Sequence, residues 1–207
     1  MTTHYLPTGT VYGVLLNFRA EFDALAPQMN EPPYKAPPQA PILYVKTANT
    51  FSAHGADIAL PAHVEEVEVG ATIGLVMGDA GRVAGCALFN DLSIPHASFY
   101  RPPVKFKCLD GFLGVGGTLR TDGADPGAMS LEVRIDGQAK QRADFSQLVR
   151  DPARLLADVT DFMTLRSGDV LLLGCNAARP LARAGQRIDI VAPGFETLSN
   201  TLVKEKA

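Results

Sequence analysis

The sequence predicts an α+β fold that is mostly β, a single domain over residues 1–207 with one main helix at about 151–165. Three observations carry this. Apolar runs of roughly four to eight residues recur along the chain, each bounded by Gly, Pro, Asn or Asp, the pattern of short strands joined by turns. Only one segment repeats apolar residues convincingly at helical spacing. The 19 Gly and 15 Pro among 207 residues leave little room for further long helices. With 46% hydrophobic and 20% charged residues, a chain of this length can withdraw roughly 70% of its unfolded surface from water, so its core needs no staple.

The first strand is expected over 10–17 (TVYGVLLN), apolar, rich in β-branched residues and too short for a buried helix. A short helix follows over 18–25. Between Pro27 and Pro41 six prolines fix φ and withhold amide donors, so this segment is read as a surface loop, and its length makes it a candidate cover for a site. Strands are expected at Ile42–Lys46 and Asp57–Leu60. Val64, Val67 and Val69 interleave with Glu65, Glu66 and Glu68, and Ala71–Met77 is wholly apolar up to Gly78. Further strands are placed at 86–91 and 131–135. The second of these leads into Asp136-Gly137, which suits a tight hairpin because both central residues need positive φ. At Asp151-Pro152 an N-cap precedes a proline in the first helical position, and Leu155, Leu156, Val159, Phe162 and Met163 then mark one apolar face. Strands at 170–173, Arg187–Val191 and 198–203 close the chain.

Charge and motifs exclude several classes of function. A net charge of −3, with Lys and Arg scattered, argues against a nucleic-acid surface. No apolar run approaches the roughly 18 residues of a membrane span, and the N-terminus lacks the regions of a signal peptide, so a cytoplasmic protein is expected. Cys86, Cys108 and Cys175 are far apart and are read as small apolar residues of a reducing compartment. His4, His54, His63 and His96 show no metal-ligand spacing and are expected at the surface. The glycines at 111, 114, 116 and 117 do not sit between a strand and a helix, so they do not read as a phosphate cradle.

The richest polar stretch runs from Asn90-Asp91-Leu92-Ser93 through Phe99-Tyr100-Arg101-Pro102 to Lys107, Asp110, Gly111 and Phe112. Asp91 closes an apolar strand, where a rigidly held acid commonly faces a cleft. Lys105, Lys107 and Asp110 read equally well as site residues or as loop charges.

These residues, with the later Ser167-Gly168-Asp169-Val170-Leu171-Leu172-Leu173-Gly174, resemble the fumarylacetoacetate hydrolase family over nearly the whole chain. Within it the similarity points to the branch built from two tandem halves of about this length, and to the first half. The resemblance implies a mixed β-roll. It also implies decarboxylation or isomerisation of 2-oxo di- or tricarboxylic acids in aromatic catabolism, with Mg²⁺ or another divalent metal polarising the 2-oxo acid.

Residue by residue, the resemblance places the metal aspartate on Asp91 and the active-site lysine on Lys107, with Asp91 and Lys107 as catalytic candidates. Lys46, Asn17, Arg101 and Asp110 become candidates for substrate binding. The family histidine after Asn17-Phe18-Arg19 is missing, and Glu21 occupies its neighbourhood. The family's two metal glutamates fall on Gly70 and Thr72, neither of which offers a carboxylate, so two of the three metal carboxylates that the resemblance implies are lacking here and loss of the metal is one expectation. Glu66 and Glu68 lie four residues earlier, roughly 13 Å along an extended strand, and are expected to be solvated charges. Two outcomes stay open: a chain active by itself without a tightly held metal, or a partner of a metal-competent paralogous subunit. Either a homo-oligomer or a hetero-oligomer is expected.

Overall fold

In a computed structural model, residues 5–96 and 101–205 are described; His4, Phe99 and Tyr100 lie outside them. The strands are β1 (Val11–Leu15), β2 (Ile42–Lys46), β3 (Phe51–Ala53), β4 (Asp57–Leu60), β5 (Glu66–Glu68), β6 (Ala71–Met77), β7 (Val83–Asp91), β8 (Leu113–Val115), β9 (Ser130–Ile135), β10 (Gln138–Asp144), β11 (Val170–Leu172), β12 (Leu181–Arg183), β13 (Arg187–Val191) and β14 (Leu198–Lys204). The helices are α1 (Arg19–Leu25), α2 (Val104–Lys107) and α3 (Pro152–Thr160). The expected fold class stands, mostly β with few helices.

A seven-stranded mixed sheet has the order β2-β1-β11-β6-β7-β8-β3, a five-stranded sheet the order β10-β9-β13-β14-β4, and β12 pairs with β5. The apolar side chains of β6, β9, β13 and β14 meet in one core with those of α3. Strand β6 is buried along its whole length, as a continuous apolar run between two neighbours requires. At the hairpin, Asp136 and Gly137 both take positive φ and β9 pairs directly with β10.

Helix α3 ends earlier than its apolar spacing predicts. Asp151 caps it by accepting the amide of Arg154 at 2.8 Å, and Leu155 and Val159 are fully buried. The helix stops at Thr160, so Phe162 falls outside it and stands 59% exposed. The hydroxyl of Thr160 donates back to the Leu156 carbonyl, a local bond typical of residues with low helix propensity. The short strands β3, β8 and β12, of three residues each, carry too little periodicity to be seen in the sequence. The proline-rich segment 27–41 is irregular as expected, apart from a short 3₁₀ turn at its start. Its Met29 is buried in one apolar cluster with Leu15, Leu16, Leu25 and Tyr44, which seats the segment beside the polar centre described next.

Candidate active site

Strand β7 delivers Asp91 to the middle of the molecule. The expectation of an acid at an accessible strand tip is overturned: Asp91 is 1% exposed, because Leu92 and Ser93 continue the chain past it and the Ser93 segment pairs with Glu68. Lys107, on the last residue of α2, places its ammonium 2.8 Å from Oδ2 of Asp91. Lys46, at the end of β2, places its own 3.0 Å from Oδ1. The phenol of Tyr44, two residues before Lys46 and therefore on the same strand face, donates to Oδ2 in a very short hydrogen bond. The Lys107 ammonium also lies 4.7 Å from the centre of the Tyr44 ring. One carboxylate thus meets two ammonium groups and a phenol, all within the interior.

The electrostatics follow from this packing. Burial opposes the charge on Asp91, but Lys107 and Lys46 outweigh it and hold the carboxyl well below the usual carboxylate range. Burial, reinforced by Asp91, pushes the Tyr44 phenol far up, so it stays a hydrogen-bond donor. Burial pushes the neighbouring Cys175 thiol up to about 12. That cysteine is a neutral wall of the site rather than a nucleophile.

A second buried charge group adjoins the first, and its central residue was not singled out by sequence. Arg179 donates to Oε1 of Glu21 at 3.0 Å and to Oε2 of Glu68 at 2.9 Å. Glu21 also accepts the Leu16 amide at 2.7 Å. Burial raises the Glu21 pKa against the opposing pull of Arg179. The expectation that Glu66 and Glu68 are solvated charges therefore fails for Glu68. The β5–β12 ladder sets Leu181 against Glu68 and Arg183 against Glu66, so Glu66 pairs with Arg183 at the surface while Arg179 reaches Glu68 within. An arginine two residues ahead of a strand that faces an E-x-E strand is the signal that could have revealed this.

The remaining candidates fall in different places. Asn17 is buried, donates to the carbonyls of Arg150 and Leu173, and accepts the Arg150 amide, so its amide is spent on backbone. The three hydrogens of the Lys46 ammonium go to the carbonyls of Leu92, Lys107 and Phe112. Asp110 is exposed and accepts from Asn49 at 2.6 Å. Arg101 is exposed, at the edge of the undescribed segment. Lys105 is an exposed charge on α2, whereas Lys107 is 1% exposed and belongs to the centre. Two of the histidines are less exposed than expected: the His54 ring accepts the Ser199 amide and the His96 ring stacks on Phe106.

These residues do not fit a divalent metal. Asp91 Oδ1 lacks a hydrogen bond, yet it already faces the Lys46 ammonium, and Oδ2 carries two donors. A Cβ at Gly70 would stand 2.3 Å from the Asp91 carbonyl oxygen and 3.0 Å from the Cys175 sulfur, so no side chain can enter from that position. Thr72 turns its hydroxyl to the Gly174 carbonyl at 2.6 Å. Among the described residues no group of three His, Cys, Asp or Glu side chains could hold a metal. A centre with two fixed ammonium groups repels a dication.

The family profile described as fumarylacetoacetate (FAA) hydrolase C-terminal matches residues 10–203. The chain is 37% identical to the 4-hydroxyphenylacetate degradation bifunctional isomerase/decarboxylase of Escherichia coli, over 96% of this chain and 48% of that protein. It is 26% identical to the mitochondrial oxaloacetate decarboxylase of Dictyostelium discoideum, over 77% of this chain and 81% of that one. Among solved structures, 5-carboxymethyl-2-hydroxymuconate delta-isomerase from Mycobacterium smegmatis superposes with a TM-score of 0.79 at 26% identity, covering 96% of this chain and 80% of the other. Fumarylpyruvate hydrolase from Pseudomonas aeruginosa, solved with Mn²⁺ and pyruvate, shares the fold at a TM-score of 0.79 and 22% identity, over 96% and 91% of the two chains. The chain spans about half the length of the bifunctional relatives it matches. No helix among the described residues is long and apolar enough to cross a membrane.

Proposed function

The chain belongs to the fumarylacetoacetate hydrolase family, and from that premise we propose that it serves as a subunit of an isomerase/decarboxylase of 4-hydroxyphenylacetate catabolism and corresponds to one half of the bifunctional relatives. The activities in question are those of a 5-oxopent-3-ene-1,2,5-tricarboxylate decarboxylase and a 2-hydroxyhepta-2,4-diene-1,7-dioate isomerase. One observation carries the reading: identity to a two-activity enzyme extends along nearly all of this chain yet accounts for only half of that enzyme.

Loss of carbon dioxide from a 2-oxo acid, or migration of its double bond, leaves electrons on the carbonyl oxygen as an enolate. That charge requires a cation or strong donors close by. In this chain the available positive group is Lys107, with Asp91 and Tyr44 holding it in place. The two carboxylates that a divalent metal would need are absent at 70 and 72. We therefore assign metal-dependent chemistry to a paralogous subunit that retains them, with this chain completing the assembly in the cytoplasm. A second reading, turnover by this chain alone without metal, is favoured by the donor capacity left on Lys107. Among the described residues its ammonium donates only to Asp91 Oδ2.

The test is a paired assay of the tricarboxylic 2-oxo acid by ultraviolet absorbance and carbon dioxide release. The chain is assayed alone with Mg²⁺ or Mn²⁺, then mixed with a metal-competent paralogue. Activity and co-elution that appear only on mixing support the subunit role. Turnover by the chain alone overturns it in favour of the second reading. Absence of both activity and complex after mixing rejects the assignment to this system.

A further inference from the structure

Tyr44 and Lys46 reach the centre from β2, and Lys107 reaches it from the end of α2. Among the described residues β2 pairs only with β1, at the edge of its sheet, so no strand ladder joins it to the turn after Lys107. The two segments meet in a ladder further on, where Phe51 of β3 pairs with Leu113 of β8. Between these points lies Asn49. Its Nδ2 donates to the Cys108 carbonyl at 3.1 Å and to Oδ1 of Asp110 at 2.6 Å, and its own carbonyl accepts the Gly111 amide at 3.0 Å. Its Oδ1 accepts the Thr47 hydroxyl at 2.5 Å.

We propose that Asn49 and Asp110 are positioning residues, forming a surface clasp that holds the turn after Lys107 against the end of the strand that carries Tyr44 and Lys46.

Three arguments converge on this. First, the side chain of Asn49 is matched group by group. Both amide hydrogens end on the turn while Oδ1 takes a hydroxyl, and the reverse amide orientation would set an oxygen against two acceptors. Second, the loop that presents Asn49 is itself fixed. Thr50, fully buried, returns its amide and its hydroxyl to the Thr47 carbonyl at 2.9 and 2.7 Å. Third, the other ties of the turn stop on either side of the clasp. At its start the Lys107 and Cys108 amides bond back to Pro103 and Val104, and Lys46 takes the Lys107 carbonyl. At its end the Gly111 carbonyl takes the Ser52 hydroxyl, and the Phe112 carbonyl takes the Leu92 amide. The Cys108 carbonyl and the Asp110 carboxylate between them face Asn49, and the bond to the carboxylate is charge-assisted. Asp110 is thereby moved from ligand contact to support of the turn.

The bearing of the clasp on catalysis rests on the function proposed above, which needs Lys107 aimed at an enolate. Its tests use no substrate, so they succeed or fail independently of that reading. Cys108 is the reporter: its thiol is half-buried and donates to the Val45 carbonyl at 3.1 Å, whereas Cys86 and Cys175 are buried. In Asn49→Asp a carboxylate replaces the donor and faces both Asp110 and the Cys108 carbonyl. Alkylation of Cys108 by iodoacetamide in the folded protein, read by peptide mass spectrometry, should speed up about fivefold, with Cys86 and Cys175 unchanged. Adding Asp110→Asn returns a donor to the pair, so the double variant should label more slowly than Asn49→Asp alone. An unchanged Cys108 rate in Asn49→Asp, or a double variant that labels as fast as the single one, would overturn the clasp. Faster labelling of all three cysteines would mean that Asn49 supports the fold at large, and would overturn it too. Should Asn49→Asp fail to fold, Asp110→Ala, at an exposed position, gives the same test with an expected rise of about twofold at Cys108 alone. In ¹H–¹⁵N spectra the amides of Tyr44 and Lys107 should shift in Asn49→Asp and move back in the double variant. Shifts confined to 47–50 and 108–111 would mean that the clasp shapes only its own loops, and would overturn the positioning role.

Discussion

The Lys107 ammonium stands 4.7 Å from the centre of the Tyr44 ring, while the Tyr44 phenol donates to the same Asp91 oxygen that Lys107 grips at 2.8 Å. The three groups form a closed triangle in which Tyr44 supports both the charge and its counter-charge. Tyr44→Phe keeps the ring and removes only the phenol hydrogen. Because that bond ends on a buried carboxylate, its loss should cost about 1.5–3 kcal/mol. Urea unfolding checks this, and a loss below about 0.5 kcal/mol would show that the phenol is idle.

The space beneath Tyr44 gives a steric counterpart. A Cβ at Gly13, the cross-strand partner of Tyr44 on β1, would lie 2.1 Å from the ring carbon Cζ. Gly13→Ala therefore has to displace the ring although it touches no charge. The expected cost is about 1–3 kcal/mol. A chain unchanged in its urea midpoint would mean that the ring has room to move.

Asp91→Asn removes the only carboxylate from between two buried ammonium groups, and breaking such an arrangement costs about 3–5 kcal/mol. The sign with pH follows from the depressed folded-state pKa of Asp91. Its contribution is complete above the unfolded value near pH 4 and is lost as pH falls through the lower folded value. The stability gap between the original protein and Asp91→Asn should stay constant from pH 8 to 5 and narrow only below about pH 4. A gap that shrinks between pH 8 and 6 would contradict the ion-pair assignment.

Restoring the missing acids should fail to restore a metal site. In Gly70→Glu/Thr72→Glu the new Cβ at position 70 meets the Asp91 carbonyl at 2.3 Å, and Lys46 and Lys107 still occupy the carboxylate. Titration calorimetry with Mg²⁺ or Mn²⁺ should show no specific binding, together with a lowered melting temperature. Stoichiometric binding with stability retained would show that the site can reopen.

Most of the strand framework was legible in the sequence because its main strands are apolar runs punctuated by turn residues. Ala71–Met77 and the Asp136-Gly137 hairpin are defined by local pattern alone. The main helix was found but overextended, since Phe162 and Met163 keep the helical spacing after the backbone has left the helix. In the site, Asp91, Lys107 and Lys46 were legible only through their motif, and their burial was not. Which oxygen each lysine takes depends on where β2, β7 and the 107–112 turn converge, a matter of tertiary register. Arg179 was missed for the same reason, since its partners Glu21 and Glu68 are far from it in the chain and meet only after β5 has paired with β12.

Arg179 supplies the last prediction. Its guanidinium is the shared counter-ion of Glu21 and Glu68, and Glu21 is almost fully buried with its pKa raised by that burial. Arg179→Met leaves the Glu21 carboxylate uncompensated and should cost about 3–5 kcal/mol near pH 8. Here the sign with pH is opposite to that of Asp91. Losing Arg179 raises the folded-state pKa of Glu21 still further above its unfolded value, so the folded form takes up the proton more readily. Stability is then gained as pH falls through the folded value toward the unfolded one. Urea midpoints measured at pH 8 and pH 5 should show the variant closing much of its deficit at the lower pH. Glu21→Gln in the same background should close part of it at pH 8. A deficit equal at both pH values would mean that Arg179 acts through packing and not through the charge it shares with Glu21.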